Sequence, residues 1–154
     1  MPYIEITRWV QGEPEKVYQL ASQMEQYPAF MKDVRSIQIL ERGEGYTITE
    51  WVTEVDGRVI RWQERDEFFP HEGLIRYHQL SGDLKKFEGY WKVEEKEEGG
   101  LKGSQITLVI DFDLGIPMLS ALLHPVLKQK VKANSESMVE AIKKQIEQKE
   151  RTLG

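Results

Sequence analysis

Residues 46–69 read YTITEWVTEVDGRVIRWQERDEFF, and this stretch decides the fold. On either side of Asp56-Gly57 apolar and polar side chains alternate, which is typical of half-buried strands. An Asp-Gly pair between two such runs is a strong signal for a two-residue hairpin turn. The stretch therefore predicts an antiparallel hairpin of Tyr46–Val55 and Arg58–Phe69, ended by Pro70.

Further runs of alternating side chains lie around this hairpin, and short turns separate most of them. The runs cover residues 3–11, 34–41, 74–81, 84–95 and 104–114. Gly43-Glu44-Gly45, Glu72-Gly73 and Gly82-Asp83 supply turn residues, and a longer charged loop is expected over 94–103. Strands that follow one another through short turns predict an antiparallel meander.

Two short helices are expected after the first strand. Pro14 suits the first turn of a helix, because its missing N–H would have no partner there. An apolar stripe at helical spacing follows, made of Val17, Leu20, Ala21 and Met24. Tyr27-Pro28 is expected to end this helix, and residues 29–31 to begin the second one.

The last part of the chain has a different pattern, with apolar residues at three- and four-residue steps. They are Leu119, Leu122, Leu123, Val126, Leu127, Val131, Met138, Ile142 and Ile146. This stripe predicts one amphipathic helix over residues 118–150, or a short turn and a long helix broken at Pro125. Such a helix would be on the order of 50 Å long.

The predicted sheet has one apolar face, and a second layer must cover it. The C-terminal stripe is the apolar segment long enough to do so. The sequence therefore predicts a single α+β domain over residues 1–154, in which a curved, six- to seven-stranded antiparallel sheet wraps around a long C-terminal helix. The space between such layers is a common site for small apolar ligands.

Composition excludes several classes of protein. The chain carries 26 acidic and 21 basic residues, a formal charge of −5, which argues against an extended nucleic-acid footprint and against DNA as a partner. It has no cysteine, which excludes disulfides, thiolate metal sites and a cysteine nucleophile. No leader or apolar run of the roughly 20 residues that span a bilayer is visible, so we expect a cytoplasmic protein.

Several short segments, in this order along the chain, carry a resemblance to a known superfamily. They are EPEKVY at 13–18, YPAF at 27–30, DGRV at 56–59 followed by Trp62, FEGYW at 87–91 and DFDL at 111–114. On these segments the sequence resembles the START-like (SRPBCC) superfamily, in its polyketide cyclase/dehydrase and coenzyme Q-binding branch. The resemblance implies a helix-grip fold around a deep cavity. That cavity holds a poly-β-keto chain in aromatase/cyclases and an isoprenoid quinone in coenzyme Q-binding proteins, and a third bacterial branch is described as a ribosome-association toxin.

The second strand of the hairpin carries the candidate acids. Glu64 and Asp66 share the parity of Trp62, so they are expected on the inward face. Aromatase/cyclases, by the resemblance, have an arginine four residues after this aromatic position, where the present chain has Asp66. Arg65 lies one residue earlier and is expected on the opposite face unless a β-bulge intervenes.

Two interpretations of these carboxyl groups follow. They either lie partly exposed at the edge of the sheet or beside basic neighbours, as charged residues usually do, or they are pocket acids with a raised pKa that suit acid–base chemistry. The candidate catalytic residues are Glu64, Asp66, Tyr77 and His78.

Aromatic residues on the strands are the candidate ligand-binding residues. Phe87 and Trp91 share one parity with Gly89, and they serve either as plain core or as one wall of a pocket. Gly89 removes a side chain between them and leaves room for a ligand or for the helix. The expected ligand-binding set is Trp51, Ile60, Trp62, Tyr77, Phe87, Gly89, Trp91 and Met138.

No cofactor or metal is expected. His71, His78 and His124 are scattered and show no metal-ligand spacing. After the first strand, Gly12-Glu13-Pro14 is a turn and not a glycine-rich phosphate loop, and no nucleophile elbow appears.

Three functions remain open from the sequence. The leading one is a binder of a small hydrophobic molecule, such as a lipid, an isoprenoid quinone or a polyketide-like compound, acting as carrier or chaperone. The second is a polyketide aromatase/cyclase or dehydratase, in which positioning supplies much of the rate. The third is an interaction module such as the ribosome-associated branch, against which the acidic charge weighs.

Overall fold

The computed structural model describes the backbone of residues 3–55, 57–113 and 124–153, and the side chains of 3–55, 57–113 and 128–148. In chain order the main elements are β1 Tyr3–Val10, α1 Pro14–Ser22, β2 Val34–Gly43, β3 Tyr46–Val55, β4 Arg58–Phe69, β5 Leu74–Gly82, β6 Lys86–Glu98, β7 Leu101–Asp113 and α2 His124–Leu153. Short 3-10 helices cover Met24–Ala29 and Pro70–Glu72.

The strands form one seven-stranded antiparallel sheet in the order β1-β7-β6-β5-β4-β3-β2. Strands β2 to β7 follow one another as a meander, and β1 pairs with β7 at one edge. The long helix α2 follows the last strand and covers the apolar face. This arrangement confirms the predicted α+β helix-grip fold.

The core has two parts along α2. Towards its C-terminal half, Val139, Ile142 and Ile146 are buried, and α2 passes so close to the turn after β1 that a Cβ on Gly12 would lie 2.5 Å from Ile146 Cγ2. Around the N-terminal half of α2 the described side chains are exposed or half-buried until Ser135. Aromatic rings of the sheet lie beneath this looser half, and the functional site is there.

The predicted hairpin at Asp56-Gly57 is confirmed by the strands on either side. Asp56 lies outside the described residues, Gly57 has a φ of +78°, and Val55 pairs with Arg58. In this register Trp51 pairs with Trp62.

The expected charged loop over 94–103 was wrong. Strands β6 and β7 continue through it as a ribbon in which Glu97 pairs with Lys102, and only Gly99-Gly100 remain as the turn. Both glycines have a positive φ, 59° and 80°, which suits a tight hairpin turn. Opposite charges across the ribbon favour pairing even though neither face is apolar.

The helical predictions need two corrections. The second short helix lies at Met24–Ala29, earlier than expected, and contains Pro28. Tyr27 is fully buried there and its hydroxyl donates to the Ala21 carbonyl, which ties this turn back to α1. Helix α2 begins at His124 with Pro125 in its first turn, so Pro125 does not break the described helix; the expected helical residues 118–123 lie outside the described ones.

Across the described ranges, no helix combines the length and the apolar character needed to cross a membrane.

Candidate functional site

An interior cavity lies between the sheet and the N-terminal half of α2. The volume open to the centre of a water molecule is about 60 Å³. The walls are overwhelmingly apolar, and α2 contributes Val131, Asn134, Ser135 and Met138. Of the expected ligand-binding set, the structure brings Trp51, Ile60, Trp62, Tyr77, Phe87, Trp91 and Met138 to this cavity.

Aromatic rings form a continuous wall on the sheet side. Trp51 and Trp62 are cross-strand partners, and their rings stack with centroids 5.3 Å apart and an interplanar angle of 13°. The Phe87 ring lies 4.9 Å from the Trp62 ring and 5.6 Å from the Tyr77 ring. These residues meet because alternate side chains of β3 to β6 point to the same face.

Part of the cavity lining was not predicted from the sequence. Leu108, Ile110 and Phe112 share one parity of β7, a signal that alternation alone could have revealed. Thr53, Val55, Leu84, Asn134 and Ser135 also line the cavity. The polar residues of α2 in this set carried no apolar signal, so the helical stripe could not identify them.

The two carboxyl groups of β4 are buried. Glu64 is 2% exposed and lines the cavity, and Asp66, two residues further along β4, is 0% exposed. The expectation of partial exposure at an edge was wrong, because β4 lies inside the sheet between β3 and β5. No basic side chain of the described residues makes an ion pair with either of them.

Hydrogen bonds hold both carboxyl groups in place. Asp66 Oδ2 accepts from the hydroxyls of Thr49 at 2.7 Å and Thr47 at 3.2 Å. Glu64 Oε1 accepts from the indole N–H of Trp62 at 2.7 Å. Asp66 Oδ1 is buried and has no partner among these donors.

Burial raises the pKa of both groups. For Glu64 it is raised well above its ordinary value by desolvation, then by the charge of Asp66 and the hydrogen bond to it, against the opposing effect of the Trp62 N–H. The pKa of Asp66 is also raised by desolvation, while hydrogen bonds from Glu64, Thr49 and Thr47 act to lower it. The pair therefore keeps a proton at a pH where ordinary carboxyl groups have lost theirs, and Glu64 holds it.

We expect Trp62→Phe to raise the pKa of Glu64 further, because it removes the one N–H that stabilises the charged form. Loss of this buried hydrogen bond should also lower the free energy of unfolding by about 1–2 kcal/mol. A carbon-detected NMR titration of the glutamate carboxyl groups measures the first effect. Trp9→Phe is the matched control, since the Trp9 indole donates at 3.0 Å to the Lys96 carbonyl, away from the cavity; a fall in the pKa of Glu64 on Trp62→Phe would contradict the assignment.

Gly89 serves a different purpose from the expected one. The Tyr77 hydroxyl donates to the Val109 carbonyl at 2.8 Å. A Cβ on Gly89 would lie 1.9 Å from that carbonyl oxygen and 2.8 Å from the Tyr77 hydroxyl oxygen. The missing side chain thus makes room for Tyr77 and for strand β7, not for a ligand.

Tyr77 and His78 are poorly suited to move protons. The pKa of Tyr77 is raised well above its ordinary value by burial and then by the nearby charges of Glu64 and Asp66. Its proton is already engaged with a main-chain carbonyl. His78 is exposed on the outer face of the sheet, so the structure does not bring it to the cavity.

Arg65 also lies on the outer face, where alternation along β4 places it. It pairs across the strands with His78, its guanidinium carbon lies 3.9 Å from the centroid of the Tyr46 ring, and its Nε is 3.6 Å from Glu67 Oε2. The register shift between Gln63 and Glu64 does not turn it inward. No cluster of three His, Asp or Glu side chains that could hold a metal ion occurs in the described parts of the chain.

Comparison with known proteins agrees with this geometry. A curated relative, the actinorhodin polyketide synthase bifunctional cyclase/dehydratase of Streptomyces coelicolor, is 25% identical over 134 residues, which cover 86% of this chain but only 40% of that protein. Among solved structures, TTHA0849 from Thermus thermophilus superposes with a TM-score of 0.86 at 27% identity over 94% of this chain and 97% of its own. The Zhui aromatase/cyclase from Streptomyces sp. R1128 shares the fold, with a TM-score of 0.88 at 21% identity over 99% of this chain and 97% of its own.

The family assignment rests on a match along most of the chain. The sequence profile of the family described as "Polyketide cyclase / dehydrase and lipid transport" matches residues 10–139. A START superfamily protein from Mycobacterium smegmatis has the same fold, with a TM-score of 0.72 at 19% identity over 95% of this chain and 97% of its own. This chain belongs to the polyketide cyclase/dehydrase and lipid transport family.

Proposed function

We propose that this chain binds a small hydrophobic molecule with a ring-sized apolar part in the cavity beneath α2, and acts as its carrier. The observation that carries the proposal is the wall of Trp51, Trp62 and Phe87 rings around space that the protein does not fill. Flat aromatic walls suit the faces of a planar guest. The cavity supports ligand binding over the interaction-module hypothesis, which needs no interior space.

The size of the cavity limits the ligand. Its volume of about 60 Å³ is below the roughly 150 Å³ of an apolar protein cavity that binds benzene. A guest must therefore widen it. Phe87 and Met138 are half-buried and line the cavity, so a change in their rotamers is the least costly way to do so.

The decisive measurement is the binding of toluene, a small neutral ring, by calorimetry and by NMR shifts of the cavity residues. We expect the protein to bind toluene and Ser135→Leu to weaken that binding at least about tenfold, a loss of roughly 1.4 kcal/mol. Ser135 is 3% exposed and faces the cavity, so a leucine there occupies the space of the guest.

Ser137→Leu is the matched control, because Ser137 lies on the same helix but lines a surface groove instead of the cavity. It should leave toluene binding unchanged. If thermal unfolding shows that both variants are folded and both bind toluene equally well, the toluene site lies outside this cavity. Failure of the parent protein to bind toluene would refute the proposed function.

A second function, a polyketide cyclase or dehydratase, is favoured by one feature of the site. Glu64 is an acid on the cavity wall that keeps its proton, as general acid catalysis requires. The family description and the name of the actinorhodin relative support the same chemistry. Incubation with a linear poly-β-keto thioester tests it: a cyclised or dehydrated product that Glu64→Leu abolishes would favour an enzyme over a carrier.

A further inference from the structure

Glu64 and Asp66 form a buried acid pair that the stability of the fold does not explain. Both are almost fully buried, and neither has a cationic partner among the described residues. Burying a charge without such a partner costs free energy, and apolar residues of similar size would pack there at no such cost. A group that weakens the fold and faces a cavity is a candidate for ligand recognition.

The hydrogen bonds favour Asp66 as the charged carboxyl group of the pair. The Trp51 indole N–H donates to Thr49 Oγ1 at 2.9 Å, so the Thr49 hydroxyl proton is free to go to Asp66. With Thr47 as a second donor, Asp66 Oδ2 accepts two hydrogen bonds, which suits a carboxylate. Asp66 is therefore the anion of the pair.

Glu64 supplies the donor that Asp66 still lacks. Asp66 Oδ1 is buried without a partner, and Glu64 lies two residues before Asp66 on the same face of β4. A hydrogen bond between the two carboxyl groups acts on the pKa of both. Glu64 Oε1 accepts from Trp62, so the proton of Glu64 sits on its other oxygen and is directed to Asp66. Because this proton goes to an anion, the carbonyl oxygen of Glu64 becomes a stronger acceptor.

Most other polar protons of the cavity are already engaged in hydrogen bonds within the protein. The hydroxyls of Tyr77 and Ser135 donate to main-chain carbonyls, and one of the two amide N–H groups of Asn134 donates to the Glu54 carbonyl. Thr53 has a hydroxyl that both donates and accepts, so it does not discriminate. The polar side of the described cavity therefore offers mainly acceptors, and those of Glu64 lie beside a net negative charge.

We propose that Glu64, held by Asp66, selects a neutral ligand that carries a phenolic or enolic hydroxyl, whose O–H donates to the Glu64 carbonyl oxygen. This inference rests on the proposed function and names its substrate class. A carboxylate such as a fatty acid is repelled by the negative pair, and a ligand with acceptors only gains nothing from Glu64.

Four ligands of nearly equal size test the inference by calorimetry at neutral pH: toluene, p-cresol, 4-methylanisole and p-toluate. We expect p-cresol to bind at least about tenfold more tightly than toluene, the effect of one hydrogen bond to a polarised acceptor. The ether 4-methylanisole should bind no better than toluene, and p-toluate should not bind.

Each contrary result has a definite meaning. Equal affinity for p-cresol and toluene overturns the role of Glu64 and leaves the proposed function standing. Tighter binding of 4-methylanisole or p-toluate than of p-cresol overturns the assigned direction of the hydrogen bond or the negative charge. Absence of binding by both toluene and p-cresol overturns the proposed function and this inference with it.

Variants of Glu64 then test whether this residue causes the preference for p-cresol. Glu64→Leu should lose the preference for p-cresol while keeping the affinity for toluene, which shows that the cavity is intact. If the remaining Asp66 charge prevents folding, Glu64→Leu with Asp66→Asn removes it and must give the same loss. Glu67→Leu is the control, since Glu67 lies on the outer face of β4 with its side chain 39% exposed, and a preference for p-cresol that survives Glu64→Leu contradicts the proposal.

Discussion

Replacing Gly89 with alanine is expected to lower the free energy of unfolding by about 4 kcal/mol, near the upper limit for a single substitution. The added Cβ would lie 1.9 Å from the Val109 carbonyl oxygen, far inside van der Waals contact. The obstacle is main chain, so no side-chain rotation relieves it, and the central strands β6 and β7 must separate. Urea unfolding followed by tryptophan fluorescence measures the loss.

Two further variants identify the cause. Gly100→Ala adds a methyl group where nothing lies within 4 Å, at a φ of +80°, so it should cost only about 1 kcal/mol of backbone strain. Tyr77→Phe combined with Gly89→Ala removes the nearby hydroxyl but leaves the Val109 oxygen, and it should recover little stability. A cost for Gly89→Ala no larger than that for Gly100→Ala would show that β6 and β7 are not packed as closely as described.

The sequence was sufficient to predict which threonines lie beside Glu64 and Asp66. The turn at Asp56-Gly57 sets the register of its hairpin, in which Thr49 pairs with Glu64 and Thr47 with Asp66. Counting outward from the turn therefore places the threonines beside the acids. These pairs can be predicted from the sequence, because the register of a hairpin is set by its two-residue turn and not by residues far away in the chain.

Burial of the acids could not be predicted in the same way. It depends on β4 having neighbours on both sides and on α2 lying above it, and these contacts join residues far apart in the chain. Charged residues are seldom fully buried unless they are paired, so the general rule predicted partial exposure for Glu64 and Asp66. The role of Gly89 likewise needed the position of Val109, on a strand that local patterns do not align with it.

The charged ribbon shows a different limit. Residues around Glu97 and Lys102 lack alternation because both faces are exposed, so the pattern that reveals a half-buried strand is missing. Pairing there rests on the continued ladder of β6 and β7 and on the Gly99-Gly100 turn, and Glu97 and Lys102 add opposite charges as partners. Hydrophobic periodicity therefore predicts the parts of the strands that cover the core, and it does not predict the parts that extend beyond the core.

Replacing Glu64 with glutamine is expected to stabilise the protein at neutral pH by about 1–3 kcal/mol, because folding of the parent protein must return a proton to Glu64 and folding of the variant need not. Glutamine has the same shape and can still accept from Trp62, but it has no proton to lose. Such a gain from altering a buried polar residue is unusual, since most core substitutions destabilise.

The sign follows from the raised pKa of Glu64. In the unfolded chain a glutamate loses its proton near pH 4.3, about the ordinary value. Above that pH the unfolded state is deprotonated while folded Glu64 keeps its proton, so the stability of the parent protein falls by up to about 1.4 kcal/mol per pH unit until the folded pKa is passed. The charged or titratable groups that act on Glu64 are Asp66 on its own strand, Tyr27 beside the sheet and Tyr77 on β5, and both tyrosines stay neutral in this range.

The advantage of Glu64→Gln should therefore vanish below about pH 4, where both states of the parent carry the proton, and grow as pH rises towards neutrality. Urea unfolding of the two proteins from pH 4 to 8 measures it, and Glu67→Gln, the same change on the exposed face of β4, should show no such growth. A pH-independent difference would mean that Glu64 is ionised in the folded protein. In that case the Asp66 oxygen would have no donor, and the proposed selection of a hydroxyl-bearing ligand would lose its basis.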